Sequence, residues 1–165
     1  MILSAEKKYA PAHVKIEGGS VSNDANHISG PSRTGEELFL AINKALQQAG
    51  ISPDDIDFIS AHGTATLYND DMEAKAINLA GMQSVPVNSL KGYYGHTLGA
   101  AGLIESIISI QSLKENIVLP TLGFSEPGTA KPINVFNKQQ TGNYKKILKT
   151  ASGFGGCNAA IVISS

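Results

Sequence analysis

An α/β fold with a mixed, mostly parallel sheet follows from three features of the 165-residue sequence. Short β-like runs alternate with helical runs, the pattern of strands joined by helical crossovers. Two of the helical runs stop at a glycine, Gly50 and Gly81, where a helix C-terminus favours one. Hydrophobic residues make up 42% of the chain against 16% charged, which supplies a core and excludes a disordered segment.

Taken in order, residues 14–16 open a strand that dissolves at Gly18-Gly19-Ser20, and the polar stretch 22–33 reads as an ordered loop. Thr34 with Glu37 three residues later forms a capping-box pattern. Leu38, Phe39, Ile42, Ala45, Leu46 and Ala49 then fall on one helical face. Pro53-Asp54-Asp55 turns the chain into a strand over 56–60. A second helix spans 70–80, with Asn69 as cap and acids in its first turn. Residues 85–87 make a short strand whose Pro86 favours an edge or a strand start. The third helix, 99–113, is apolar or small around most of its circumference, so burial on nearly all sides is expected. Three prolines (120, 127, 132) make 119–140 a long surface connection. Strands at 144–150 and 157–164 close the chain as a hairpin through Gly153-Phe154-Gly155-Gly156, adding one antiparallel member.

Composition excludes several classes of function. Thirteen basic against 14 acidic residues, with no basic run, leave no nucleic-acid footprint. A single cysteine, Cys157, excludes an intrachain disulfide, and no Cys/His cluster has zinc spacing, so no metal is expected. The N-terminus lacks a signal-peptide core, and the apolar stretch 98–113 is broken by Glu105, Ser106, Ser109, Gln111 and Ser112. The expectation is one soluble, cytoplasmic domain over 1–165 with no membrane span.

Ligands of open α/β sheets sit beyond the carboxyl ends of the strands. That rule marks three segments. After residue 59 comes Ala61-His62-Gly63-Thr64-Ala65-Thr66, a histidine beside glycine with two alternate hydroxyls, either facing a cleft or forming a satisfied polar loop. After residue 87, Lys91 and His96 lie in a glycine-rich turn at the start of the third helix. Free N–H groups there favour an oxyanion or carboxylate and suit His96 to donate as a neutral ring; a capping turn with a surface lysine is the alternative. Glu105 is the sole charge between Leu98 and Leu113 and needs a partner if buried, with Lys91 the nearest candidate. After residue 150, Ser152-Gly153-Phe154-Gly155-Gly156-Cys157-Asn158 either offers backbone N–H groups to an oxyanion or is an ordinary tight hairpin. Cys157, at the start of an apolar strand, reads as a small buried thiol, not a nucleophile. His13 reads as solvated and His27 as structural.

Together, HGTAT at 62–66, KGYYGHTLGAAG at 91–102 and SGFGGCNA at 152–159 resemble the β-ketoacyl-acyl-carrier-protein synthase family in order and spacing. SNDANHISGP at 22–31 and the stretch 45–57 also fit, so the resemblance covers nearly the whole chain. It implies one thiolase-like half, the C-terminal one, with the half bearing the nucleophilic cysteine absent. It implies a decarboxylative Claisen condensation with malonyl-acyl-carrier protein in fatty acid or polyketide synthesis. His62 and His96 would be the catalytic histidines, Lys91 the active-site lysine and Glu105 its buried ionic partner. Thr64 and Thr66 would bind the phosphopantetheine arm of the carrier protein, with no permanently bound cofactor. The Phe154 N–H would join the oxyanion hole and its ring would gate the acyl pocket. The implied partners are the N-terminal half, acyl carrier protein and a second copy. Ser152 and Gly92 depart from the family's phenylalanine and serine, and Cys157 falls where threonine is common. A non-catalytic thiolase-like subunit shaping a partner's cavity is the alternative reading.

Overall fold

The computed structural model describes residues 3–6 and 14–165, so His13 lies outside the described residues. Its centre is a six-stranded sheet built from β1 (Lys15–Asn23), β2 (Phe58–Ser60), β3 (Pro86–Asn88), β5 (Asn134–Val135), β7 (Lys146–Gly153) and β8 (Cys157–Ser164), in the order β1-β8-β7-β2-β3-β5. β7, β2, β3 and β5 pair in parallel, while β8 runs antiparallel to both β7 and β1. The expected hairpin is therefore present, and β8 is the one reversed strand. A separate two-stranded antiparallel ribbon joins β4 (Ile117–Val118) to β6 (Gln140–Thr141).

Strand alternation sorts side chains to two layers. Ile59, Leu148 and Val162 face α1 (Glu36–Ala49) and α2 (Leu67–Leu79), where they meet Leu38, Ile42, Met72 and Ile77 in the larger core. Phe58, Ile147 and Ile163 face the other way and pack with Ile110 and Leu113 of α4 (Ala101–Glu115). The apolar face read from the sequence supplies Leu38, Ile42, Ala45 and Leu46 of α1, and Gly50 ends that helix in the left-handed conformation.

Several elements differ from expectation for identifiable reasons. β1 does not stop at Gly18 but continues to Asn23, because β8 pairs with it from Lys15 to Asn23; a Cβ on Gly18 would sit 2.3 Å from the Ala45 carbonyl oxygen. The glycine is what lets α1 lie against the strand. The capping box does not form: Gly35 is the N-cap, and Ser32 Oγ accepts from the Thr34 and Gly35 N–H groups at 3.3 and 3.4 Å. α2 begins at Leu67, so Asn69 lies inside it instead of capping it. The 119–140 connection carries β5, since Val135 pairs with Val87 and places Phe136 in the core. Only one side of α4 is buried, its Glu105, Ser106, Ser109 and Ser112 face, while Leu103 and Ile107 are exposed. Near-uniform apolarity leaves a helix's orientation undecided; here Glu105 faces inward to Lys91 and Lys149, and Ser106 and Ser109 on that side satisfy their hydroxyls on the Gly102 and Glu105 carbonyls of the same helix. Among the described residues no helix is long and apolar enough to cross a membrane, and no cluster of three metal-ligating side chains occurs.

Candidate active site

The carboxyl ends of β2 and β3 release the two histidine segments side by side, and α4 begins beneath them. His62 follows β2, is 5% exposed, and its ring stands edge-on to His96 with centroids 5.2 Å apart. A four-residue helix, α3 (Lys91–Tyr94), replaces the expected open turn and brings Lys91 inward. The Lys91 Nζ lies 2.5 Å from Glu105 Oε1 and 3.1 Å from His62 Nδ1, and also donates to the His62 carbonyl. Glu105, fully buried, thus has the partner that a lone buried carboxylate requires.

These bonds assign ring protons. An ammonium has no acceptor, so His62 Nδ1 must accept from Lys91 and a neutral ring carries its hydrogen on Nε2. Burial, then the Lys91 and Lys149 charges, pull His62 down to about 3, so the ring is neutral at physiological pH. His96 Nδ1 accepts the Leu98 N–H at 3.0 Å, which leaves Nε2 to donate there as well. Leu98 has φ 52°, a left-handed conformation uncommon for a leucine, and Ala65 in the neighbouring loop has φ 56°. Backbone strain is stored in both histidine segments.

Two buried groups that sequence reasoning missed complete the arrangement. Glu73, on α2, accepts the His62 and Gly63 N–H groups at 2.9 and 2.6 Å and the Thr150 hydroxyl at 2.9 Å. It fixes the loop from below. Lys149, on β7, places Nζ 2.7 Å from Glu105 Oε2 and donates to the Ser60 and Ala61 carbonyls. The readable signal was a lysine on the same strand face as Ile147, in the middle of a sheet, opposite a lone glutamate. Gly63, φ 44°, packs against Ser89, whose hydroxyl donates to the Gly63 carbonyl at 2.6 Å; a Cβ there would meet Ser89 Cβ at 2.5 Å. Burial raises the Asp70 carboxyl, which accepts the Thr64 N–H at 3.1 Å. Burial and the Glu105 charge push the Tyr94 phenol up to about 12.

A cleft of about 470 Å³ opens beside this cluster, lined by Thr64, Asp70, Lys91, His96 and the 121–129 loop, a size that accepts a small molecule. The Thr64 and Thr66 hydroxyls are 2.8 Å apart, with Thr64 lining this cleft and Thr66 a small pocket beside it. Phe154 is not among the cleft residues: it is 82% exposed at the β7–β8 turn, where Gly155 N–H donates to the Ile28 carbonyl. Cys157 is exposed, not buried, because the odd-numbered face of β8 becomes covered only from Ala159 towards Ile163. His27 is exposed and closes a local turn through Nδ1, which accepts the Ser29 N–H at 3.2 Å. Gly92 has no room for a side chain, since a Cβ would lie 2.6 Å from the Leu122 carbonyl oxygen.

Residues 13–125 match the family model of the β-ketoacyl synthase C-terminal domain. The chain belongs to the β-ketoacyl synthase family. It is 37% identical over 160 residues to 3-oxoacyl-[acyl-carrier-protein] synthase 2 of Mycobacterium leprae, covering 96% of this chain and 38% of that protein. It is 33% identical to the synthase of the same name in Coxiella burnetii, with 97% and 40% coverage. The chain therefore spans about two fifths of the length of these synthases. Among solved structures, a β-ketoacyl synthase from Burkholderia phymatum superimposes with TM-score 0.88 at 30% identity, over 96% of this chain and 40% of that one. A type II polyketide ketosynthase bound to its acyl-carrier protein superimposes with TM-score 0.85 at 32% identity, over 92% and 38%. The sheet and helices described above are thus the thiolase-like architecture of ketosynthases.

Proposed function

We propose that this chain supplies the histidine-bearing part of a 3-oxoacyl-[acyl-carrier-protein] synthase, condensing an acyl thioester with a malonyl unit in fatty acid or polyketide synthesis. The observation that carries the reading is the pair of neutral-ring donors, His62 and His96, on a buried Lys91–Glu105 ion pair. In the reaction, the malonyl C–C bond to the carboxylate breaks, the carboxylate leaves as carbon dioxide, and the bond's electron pair passes into the thioester as an enolate. Two imidazole N–H groups donating to that oxygen stabilise the charge as it forms, without reorganising. The enolate carbon then attacks an acyl thioester held on a cysteine, and collapse of the tetrahedral oxyanion expels the thiolate.

That cysteine is assigned to the N-terminal half of the synthase, because Cys157 is an exposed residue at the start of β8, where the family resemblance has threonine. The isolated chain is accordingly expected to be inactive in condensation. The phosphopantetheine arm of acyl carrier protein is placed along Thr64 and Thr66, no permanently bound cofactor is invoked, and the Phe154 N–H is assigned to the oxyanion hole of the complete enzyme. The exposed Leu103 and Ile107 of α4 favour an apolar partner surface, consistent with the N-terminal half and with self-association of the chain without it. A cytoplasmic setting goes with this reading. A subunit that only shapes a partner's cavity has no evident need for His62, Lys91 and His96.

Mass spectrometry of mixtures with acyl- and malonyl-carrier protein tests the proposal. The expected result is no acylation and no product from the chain alone, and product when a cysteine-bearing N-terminal half is added, lost again in His62→Ala. An acyl group on Cys157 with condensation product would overturn the assignment of the nucleophile. Undiminished condensation with His62→Ala would overturn the assignment of the histidines.

A further inference from the structure

Lys149 is a buried cation beside the histidines that the reaction above does not use. It is 2% exposed and sits in the middle of the sheet, on β7 between β8 and β2. Its Nζ is surrounded by oxygens: Glu105 Oε2 at 2.7 Å, the Ser60 carbonyl at 3.1 Å, the Ala61 carbonyl at 3.3 Å and the Thr150 carbonyl. An ordinary structural lysine would extend its ammonium to water. Here its three hydrogen bonds are spent within the protein, on the Thr150 carbonyl and on the last two residues before His62, while its charge pairs with the carboxylate that holds Lys91.

We propose that Lys149 is a positioning residue of this site, dividing the Glu105 carboxylate with Lys91 and pinning the Ser60–Ala61 carbonyls from which His62 projects. Each Glu105 oxygen then has its own lysine, Oε1 with Lys91 and Oε2 with Lys149. Lys91 is held at one oxygen and left pointing at His62 Nδ1. The charges facing His62 are Lys91 from α3, Lys149 from β7, Glu105 from α4 and Glu73 from α2, with His96 as the neighbouring ring. Two cations balance two carboxylates. Removal of Lys149 leaves one uncompensated negative charge among buried groups, which favours protonation of His62 and ends its service as a neutral donor. The inference rests on the proposed function only in that the positioned ring is taken to be catalytic.

The test is the NMR titration of the His62 imidazole in the full chain, with Lys149→Met and Lys149→Gln as variants. Both remove the charge, and the glutamine keeps a donor towards the carbonyls. The expected result is that His62 titrates about one pH unit or more higher in both variants, while the amide spectrum away from the site is unchanged. A folded variant with an unmoved His62 titration would overturn the proposal, since a merely space-filling lysine predicts that outcome. If neither variant folds, ¹⁵N-lysine spectra of the unaltered chain decide: two slowly exchanging ammonium signals, both lost in Glu105→Gln, support the shared carboxylate, and a single one overturns it. None of these readouts depends on turnover. A displaced His62 titration in a chain that never restores condensation would leave Lys149 as assigned and refute the synthase reading instead.

Discussion

Replacing Glu105 with glutamine keeps the shape of the side chain and removes the charge that two buried lysines share. Glu105 is fully buried, with Lys91 at 2.5 Å and Lys149 at 2.7 Å, so no solvent takes over when the carboxylate is lost. Breaking a buried pair from one side costs about 3–5 kcal/mol. Against a total stability of roughly 5–15 kcal/mol for a domain, that is a large fraction. With a urea m-value of about 2 kcal/mol/M, the unfolding midpoint should fall by roughly 2 M. The loss has a sign in pH. Burial already pulls the Lys149 amine below its unfolded value, and Glu105 is the main influence raising it. Without Glu105 the folded-state value falls further, so stability drops as pH falls and the gap to the unaltered chain widens towards acid. Urea melts of both proteins at pH 9 and pH 6.5 read this directly. A loss below about 1 kcal/mol, the scale of an exposed ion pair, would refute the claim that Glu105 holds the site together.

Four further outcomes follow from the same geometry. His62 titrates near 3 when folded and near its ordinary 6.5 when unfolded, so stability is complete above pH 6.5 and lost progressively below it; His62→Asn should flatten that limb of a pH-dependent melting curve. Gly92→Ser forces a side chain against the Leu122 carbonyl and should cost about 1–3 kcal/mol in urea unfolding, whereas free accommodation would mean the 121–129 loop moves readily. Cys157 should react with a chromogenic disulfide at one thiol per native chain without denaturant, and protection would contradict its exposure. Leu103→Lys with Ile107→Lys should reduce self-association of the isolated chain in sedimentation velocity with little change in melting temperature, because both side chains are already exposed.

Much of the molecule was readable because its signals are local. The α1 stripe from Leu38 to Leu46, the stop at Gly50 and the final hairpin each depend on residues within one or two turns of one another. The His62, Lys91 and His96 segments were readable because histidine, glycine and lysine at strand ends have few structural uses, and the Lys91–Glu105 pair because a lone charge in an apolar helix demands a partner. β5 was missed because two residues carry no periodicity, and its place beside β3 comes from pairing across 47 residues between Val87 and Val135.

By itself the sequence determined the longer helices, the final hairpin, which face of α1 is buried and which segments meet at the candidate site, since periodicity and residue type act over a few positions. Only the tertiary structure decided which face of α4 is covered, that Lys149 and not Lys91 alone compensates Glu105, that Glu73 braces the His62 loop, and that Cys157 lies open to solvent. Each of these is settled by a neighbour far along the chain, and electrostatic pairing in a dry interior depends on who arrives there, not on the residues alongside.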